Sequence, residues 1–468
     1  MPNPPAMKTV REPARDIEIC READVVVVGG GPGGIASAIC AARSGAKTVL
    51  VERYGHLGGM ATGGLITIIP NLSNISGEQQ IAGLCQELID RLDAREATHY
   101  PKKEDWGSAE EDLVNYYINA NHFLFYIRDD YNTGKKRVLY TALVDPEVLK
   151  CELNNMMEEA GVTLYLHSWG TLPIVEGDTV RGVIIESKSG RQAILGKVVI
   201  DSTGDGDLLQ PAGAECDTEL RPRTRTAALA FPFWIGNIDL KKYDDFRASQ
   251  PEKYNELTKE MSELGGAPFF LRDLIKRHDG VVWFHPFIPC LNQSDVTELN
   301  RAELAGRKKM LVTYDFFYKH VPGFENSYIT QSSPQLGTQG GKRVIGEYYM
   351  TEKDMTSDEI FKDTIAIFAN NDNKEMSAKH PNICIPYRSL VPKKIDGLLV
   401  ACRAFSSDYH IQEYFNLIPH CIAFGQAAGT AAAMAVAEGI QPRHVDYKTL
   451  QANLVKQGVI IPGVKEAV

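Results

Sequence analysis

No CxxC pair occurs among the nine cysteines, which stand far apart at 20, 40, 85, 151, 216, 290, 384, 402 and 421. Such scatter excludes an iron–sulfur centre and a zinc knuckle, so no metal is expected. It also removes the dithiol that a disulfide reductase needs. Free thiols in a reducing compartment are the expectation. Met1 to Cys20 mixes prolines and charges with no apolar stretch, which argues against a secretory signal. Apolar runs fall short of the roughly 20 residues that span a bilayer, so a cytoplasmic protein without a membrane span is expected. A long basic stripe is missing too. With 50 basic against 60 acidic residues and a net charge of -10, no nucleic-acid partner is expected.

What is present is a chain of 468 residues, 44% apolar, long enough for two or more lobes. Asp24-Val25-Val26-Val27-Val28 is a buried β run that enters Gly29-Gly30-Gly31-Pro32-Gly33-Gly34. A small-residue helix over about 35–43 follows, then a strand, Thr48-Val49-Leu50-Val51, ending at Glu52. Gly29, Gly31 and Gly34 spell G-x-G-x-x-G between strand and helix. The first permits the tight turn, the second bares the backbone for a pyrophosphate, and the third lets helix and strand pack closely. Glu52, 23 residues after Gly29, is placed to accept hydrogen bonds from a ribose, with Arg53 beside it. A carboxylate there disfavours a 2′-phosphate. Only one such fingerprint is visible, which argues against a second, nicotinamide-binding unit. The next stretch, Gly55 to Gly64, carries so many glycines that it reads as a loop passing close along an extended cofactor.

Further along, a helix is predicted over about 80–92, and another from Asp145-Pro146 to about 160, stopped by Gly161. Short strands at 162–166, 171–176, 180–187 and 193–195 suggest a small antiparallel appendage, before 197–200 returns to the main sheet. Between about 211 and 341 the α/β rhythm is lost in favour of aromatics and charged helices, as in Trp283-Phe284-His285. A strand at 398–401 and a long small-residue helix over about 420–438 restore it.

These segments together resemble the FAD-dependent oxidoreductase family of the glutathione-reductase-type fold, in its subgroup with a Leu57-Gly58-Gly59-Met60-Ala61-Thr62 loop. The likeness spans about 24–95, 140–215 and 335–440. It implies an α/β fold: a three-layer ββα Rossmann-like FAD-binding domain with a second, mixed α+β substrate lobe. The expected divisions are a flexible leader (1–20), the FAD-binding domain (21–210), a substrate-facing lobe (211–341), a return to the first domain (342–450) and a tail (451–468). The resemblance implies that the Gly29–Gly34 turn and Glu52 hold the ADP half of FAD, and that Gly58, Gly59, Met60, Ala61 and Thr62 follow its pyrophosphate and ribityl region. A second family motif matches Val199 to Asp207, with Thr203, Gly204 and Asp205 at the sheet's mouth. A third matches Gly397 to Ser406, with Arg403, and Pro419 to Gly429, where Gly425, Gln426, Ala427 and Ala428 belong to the helix beside the flavin. That small-residue spacing also serves plain helix packing.

A flavin that takes a hydride often works with a base that removes a proton. His410 and Tyr414, at i,i+4 spacing ahead of the last helix, are candidates. His420 at the helix start can face the flavin, and His285 in the aromatic lobe can close the cavity. Arg343 can meet reduced flavin or an anionic substrate, or can join two domains through a salt bridge. Gln339, Gly340 and Asn416 stand where many relatives carry charged residues, which argues against a dicarboxylate-like substrate unless Arg221, Arg223 or Arg225 compensates. The expected activity is two-electron oxidation of a small alcohol, amine or activated C–C bond, with reoxidation by oxygen, a quinone or another protein. The alternative is a reductase or NAD(P)H-using monooxygenase; an RNA-modifying flavoprotein and a non-enzymatic scaffold are more remote. Substrate, electron acceptor and any homo-oligomer stay open.

Overall fold

Alternation along Val25–Val28 decides how the layers stack. A computed structural model describes residues 9–118, 126–272, 279–372, 377 and 379–464. In it Glu18–Val28 forms strand β1. Val25 and Val27 face a helical layer, whereas Val26 and Val28 face the opposite side. Two apolar faces make this a central strand.

Helix α1 (Pro32–Arg43) returns the chain to β2 (Thr48–Val51), parallel to β1. Gly29 at the turn has φ +100°, and a Cβ there would lie 2.4 Å from the Ser202 carbonyl oxygen, so only glycine fits. Helix α2 (Leu84–Asp93) starts later than the periodicity predicts, because the amides of Gln80 and Ile81 bond the Leu72 carbonyl instead. Helix α3 (Pro146–Ala160) is capped by Asp145, whose carboxylate accepts from the amides of Glu147 and Val148, and it ends at Gly161 with φ +73°.

The expected antiparallel appendage divides differently. Thr163–Tyr165 (β3) is a parallel edge strand on β2. Trp169–Glu176 (β4) and Thr179–Ser187 (β5) are antiparallel, but β6 runs unbroken from Gly190 to Asp201 and joins 193–195 to 197–200. Its first half pairs with β5, its last three residues pair with Leu398–Val400 (β7), and β1 follows it nearly throughout. Val180, Val183, Ile185 and Ile194 of the hairpin pack on Val26, Val28 and Val49, giving a layer over the sheet's second face. The fold is thus α/β, with a parallel-dominated sheet between helices and an antiparallel hairpin.

A separate aromatic core gathers Phe231, Phe233, Phe284, Phe317 and Phe324 in the segment of mixed strands and helices between 228 and 332. The chain then returns through β7, helix α4 (Tyr409–Phe415) and helix α5 (Ile418–Glu438). By length and composition α5 is apolar enough to cross a bilayer, contrary to the expectation that no run is. Here 83% of its apolar 18-residue stretch is buried inside the protein, and its Gly425 and Gly429 pack against α1. The expected boundary at 450/451 falls inside a further helix, Tyr447–Lys456, whose Leu450 and Leu454 join the main core. The expected boundary at 20/21 likewise falls inside β1.

Candidate functional site

A cavity of about 700 Å³ runs from the glycine turn to the aromatic lobe. Gly29, Gly31, Pro32 and Gly33 line one end. The α1 N-terminus has no side-chain cap, and a Cβ on Gly31 would meet open space. Unpaired amides at the positive end of a helix suit an anion. Gly34 lies behind, packed on the Gly29 carbonyl. Glu52 is 7% exposed and lines the cavity; its carboxylate accepts from the amides of Gly30 (2.6 Å) and Tyr54 (2.8 Å). Burial raises its pKa, and those amide bonds oppose the rise. Arg53 lines the wall over the rings of Tyr54 and Trp169. From the following loop Gly59 and Met60 reach the cavity. Gly58, Ala61 and Thr62 do not; the Thr62 hydroxyl donates to the Leu57 carbonyl and shapes the loop from behind.

At the end of β6 Asp201 is fully buried and accepts from the Thr203 amide and hydroxyl and from the Leu208 amide. This turn presents Ser202, Thr203, Gly204 and Asp207 to the cavity. Asp205 instead pairs with Arg403, which does line the cavity. Arg403 also donates to the Thr338 hydroxyl and the Gly340 carbonyl. Burial, then the neighbouring charges of Asp205 and Asp201, push the Asp207 pKa up.

The last helix meets the cavity through its start, not through the positions expected. Asn416, Leu417, Ile418 and Cys421 line the wall. Gly425, Gln426, Ala427 and Ala428 lie beyond it. Gly425 packs on α1, where a Cβ would approach the Gly33 carbonyl to 2.1 Å. Gln426 bonds the Leu84 amide and Gln457, while Ala427 and Ala428 are core. The small residues therefore serve helix packing.

Of the five residues expected to take part in chemistry, the cavity gathers two, Tyr414 and His285. The His285 Nε2 is shielded from solvent and finds no hydrogen-bond partner among the described residues. Burial, helped by the Arg225 charge, pushes its pKa down to about 3 and keeps it neutral. His410 is outside: its Nε2 bonds the Tyr409 hydroxyl (2.6 Å), and its Nδ1 lies 3.6 Å from Glu352. One turn of helix separates it from Tyr414, and the cavity ends within that turn. His420 is fully buried between Phe368 and Phe415, and its Nδ1 accepts from the Leu417 amide. Arg343 is fully buried away from the cavity. It pairs with Asp217 (2.9 Å) and donates to Gln412 and to three carbonyls, those of Gly341, Ser407 and Glu219, tying segments together.

The structure separates the three compensating arginines. Arg221 lies over the Tyr409 ring, Arg223 is exposed, and Arg225 enters the cavity beside Gln339, Glu413 and Asn416. Nothing in the alternating Arg221, Arg223, Arg225 pattern marks the inward one. The bonds from Glu413 to the Arg225 amide (2.7 Å) and the Thr226 amide (2.9 Å) decide it.

A dinucleotide cradle at the mouth of a parallel sheet, opening onto a second lobe, defines a nucleotide-cofactor enzyme of the doubly wound class. The chain belongs to the FAD dependent oxidoreductase family, whose sequence profile matches residues 24–454. It is an oxidoreductase, and FAD is its cofactor. A curated relative, the mitochondrial dihydrolipoyl dehydrogenase of Caenorhabditis elegans, is 54% identical over only 46 residues, 10% of this chain and 9% of the relative. Among solved structures, a geranylgeranyl bacteriochlorophyll reductase-like protein of Thermoplasma acidophilum aligns with 93% of this chain and 83% of its own, at 13% identity and a TM-score of 0.44. The p-nitrophenol 4-monooxygenase of Pseudomonas putida DLL-E4 aligns with 93% and 85%, at 12% identity and a TM-score of 0.46. Likenesses this distant carry no argument about the reaction. The residues present fit FAD: open space over Gly31, an uncapped helix N-terminus and a buried carboxylate at the strand end lie along one wall.

Proposed function

We propose that the chain oxidises a small organic substrate by two electrons, the substrate sitting where the cavity opens onto the aromatic lobe. FAD, when bound, supplies the hydride acceptor. Gly29 to Gly33 and Glu52 hold its ADP half, and Thr203, Gly204, Arg403, Leu417 and Cys421 flank the remainder. Trp283 and Phe287 wall the substrate end. Tyr414 offers a hydroxyl, and His285 a neutral imidazole, to hold or move a proton at the substrate. An alcohol, an amine or an activated C–C bond suits this arrangement, with oxygen, a quinone or another protein taking the electrons afterwards. One observation carries the reading: a single continuous cavity joins the glycine cradle to Tyr414 and His285.

An anaerobic screen of such substrates for bleaching of the oxidised flavin band tests it. Bleaching by one substrate class, with none by NADH or NADPH, is the expected result. Rapid bleaching by NADPH alone would replace this reading with a reductase or monooxygenase.

A further inference from the structure

Four arginines among the described residues line the cavity, and their partners differ. Arg53 lies over two aromatic rings at the dinucleotide end. Arg128 lies 3.3 Å from Asp372, and Arg403 pairs with Asp205. The Arg225 guanidinium meets neutral oxygens instead: Gln339 Oε1 at 2.8 Å, Asn416 Oδ1 at 2.7 Å and the Glu413 carbonyl. The Glu413 carboxylate is turned away, accepting from the Arg225 and Thr226 amides and the Thr226 hydroxyl. A buried guanidinium without a contacting counter-ion is costly. Its pKa is lowered by that burial, with Glu413 and Asp372 opposing at longer range. Three neutral acceptors fix the plane of the fork and leave other N–H donors for a ligand.

A second, independent observation lies in the same cavity. His285 holds a solvent-shielded Nε2 with no partner among the described residues, on a ring packed against Trp283 and Phe287, each 4.7 Å away. Left unsatisfied, that atom gains a partner from outside the chain only when the ring turns toward the cavity, since nothing the size of water reaches it as it stands. Apolar Phe270, Leu271, Trp283 and Phe287 line the same cavity. Asp372 and Glu413 line the same end and oppose a second negative charge.

We infer that the substrate is an aromatic monocarboxylate: Arg225 anchors its carboxylate, a turn of the His285 ring brings Nε2 to its polar side, and Trp283 and Phe287 pack on its ring. The assignment rests on the reading of this cavity end as the substrate site. It allows an anion that Gln339 and Asn416 alone do not suggest, and it limits that anion to one charge.

The test uses the FAD-loaded full chain, with flavin content measured first by absorbance. Benzoate, benzamide and acetate are titrated, and tryptophan fluorescence and the flavin difference spectrum are followed. Benzoate is expected to bind at least about tenfold more tightly than benzamide or acetate, the scale of a hydrogen bond to a charged group. Arg225→Gln is expected to erase the benzoate preference and leave benzamide within about threefold of wild type. Arg225→Lys, which keeps the charge and loses the fork, falls between the two. Three results overturn the inference: benzamide binding as well as benzoate in the wild type; Arg225→Gln weakening both ligands equally, as a purely structural link to Glu413 and Asn416 would; or Arg225→Gln releasing FAD while the preference survives. Should Arg225→Gln not fold, the wild-type ratio and Arg225→Lys decide. Protein that never retains FAD refutes the functional reading itself, whereas flavin-loaded protein blind to ligand charge refutes only the carboxylate anchor.

Discussion

Gly425→Ala should loosen both the fold and the grip on FAD, although Gly425 does not line the cavity. Its Cα faces the Gly33 carbonyl across the α1–α5 contact, and an added Cβ would sit 2.1 Å from that oxygen, where contacts under 3.0 Å essentially never occur. The helices must separate by about 0.9 Å to reach that limit. No rotamer change relieves a clash with backbone, so the cost belongs at the upper end of overpacking, about 3 kcal/mol. Replacing a mid-helix glycine by alanine returns about 1 kcal/mol of helix propensity. The net loss is therefore about 2 kcal/mol. Gly33 is also a cradle residue, so displacement of α1 is transmitted to the cofactor end. Gly429→Ala is the matched control: its Cβ would lie 2.2 Å from the Ser37 carbonyl, one turn further from the cradle. Denaturant unfolding should show a similar stability loss in both variants. FAD titration of the apoprotein should show about tenfold weaker binding in Gly425→Ala alone, the equivalent of about 1.4 kcal/mol. A Gly425→Ala protein with wild-type stability and wild-type FAD affinity would refute the role given to this contact.

Glu52→Ala removes the acceptor of the buried Gly30 amide and should weaken FAD binding by about tenfold or more, read by flavin release on dilution. Arg343→Met should cost about 3–5 kcal/mol in denaturant unfolding, because it leaves Asp217 without its cation and several buried oxygens without donors; equal stability would show that the contact is dispensable. Burial holds His420 neutral, with its pKa down to about 3, while the unfolded chain titrates near the ordinary 6.5. Between these values the unfolded state binds the extra proton, so stability falls as pH falls, by about 1.4 kcal/mol per pH unit. His420→Phe, which keeps an aromatic ring between Phe368 and Phe415, should flatten the acid slope by that amount, and an unchanged slope would refute the buried neutral assignment. His410→Ala should leave the rate of anaerobic flavin reduction within about twofold of wild type, since general base catalysis is worth about 10²–10⁴ only to a group that reaches the reacting atoms; stopped-flow reduction slowed by such a factor would restore His410 to the site.

The cradle was legible because each of its parts is local. Gly29, Gly31, Gly34 and Glu52 belong to one β-α-β unit, where strand pairing and a single helix fix every position within a few residues. The same holds for the Asp145 cap and the Gly161 stop of α3. The hairpin was half legible: its glycine turns are visible, but whether a short strand joins an edge or a meander depends on its partner. Thr163–Tyr165 finds that partner in β2, more than 110 residues earlier in the chain.

At the substrate end no local pattern was available, and nearness in sequence misled. His410 and His420 bracket a segment that does reach the cavity, yet the residues that enter are Glu413, Tyr414, Asn416, Leu417 and Ile418. Helix α4 is only seven residues long, so one turn carries a side chain from the cavity wall to the Tyr409–Glu352 surface. Arg225, a cation that does enter, comes from the far side of the sequence and is aimed by bonds to Gln339, Glu413 and Asn416, three residues between 114 and 191 positions away. Gln339 and Asn416 read, in sequence, as the loss of charged groups and thus as a retreat from anions. In three dimensions they are the acceptors that hold a guanidinium in place without neutralising it. Neutral acceptors beside a buried arginine leave its charge available to a ligand, so the residues that argue against a dianion still leave room for a single negative charge at this site.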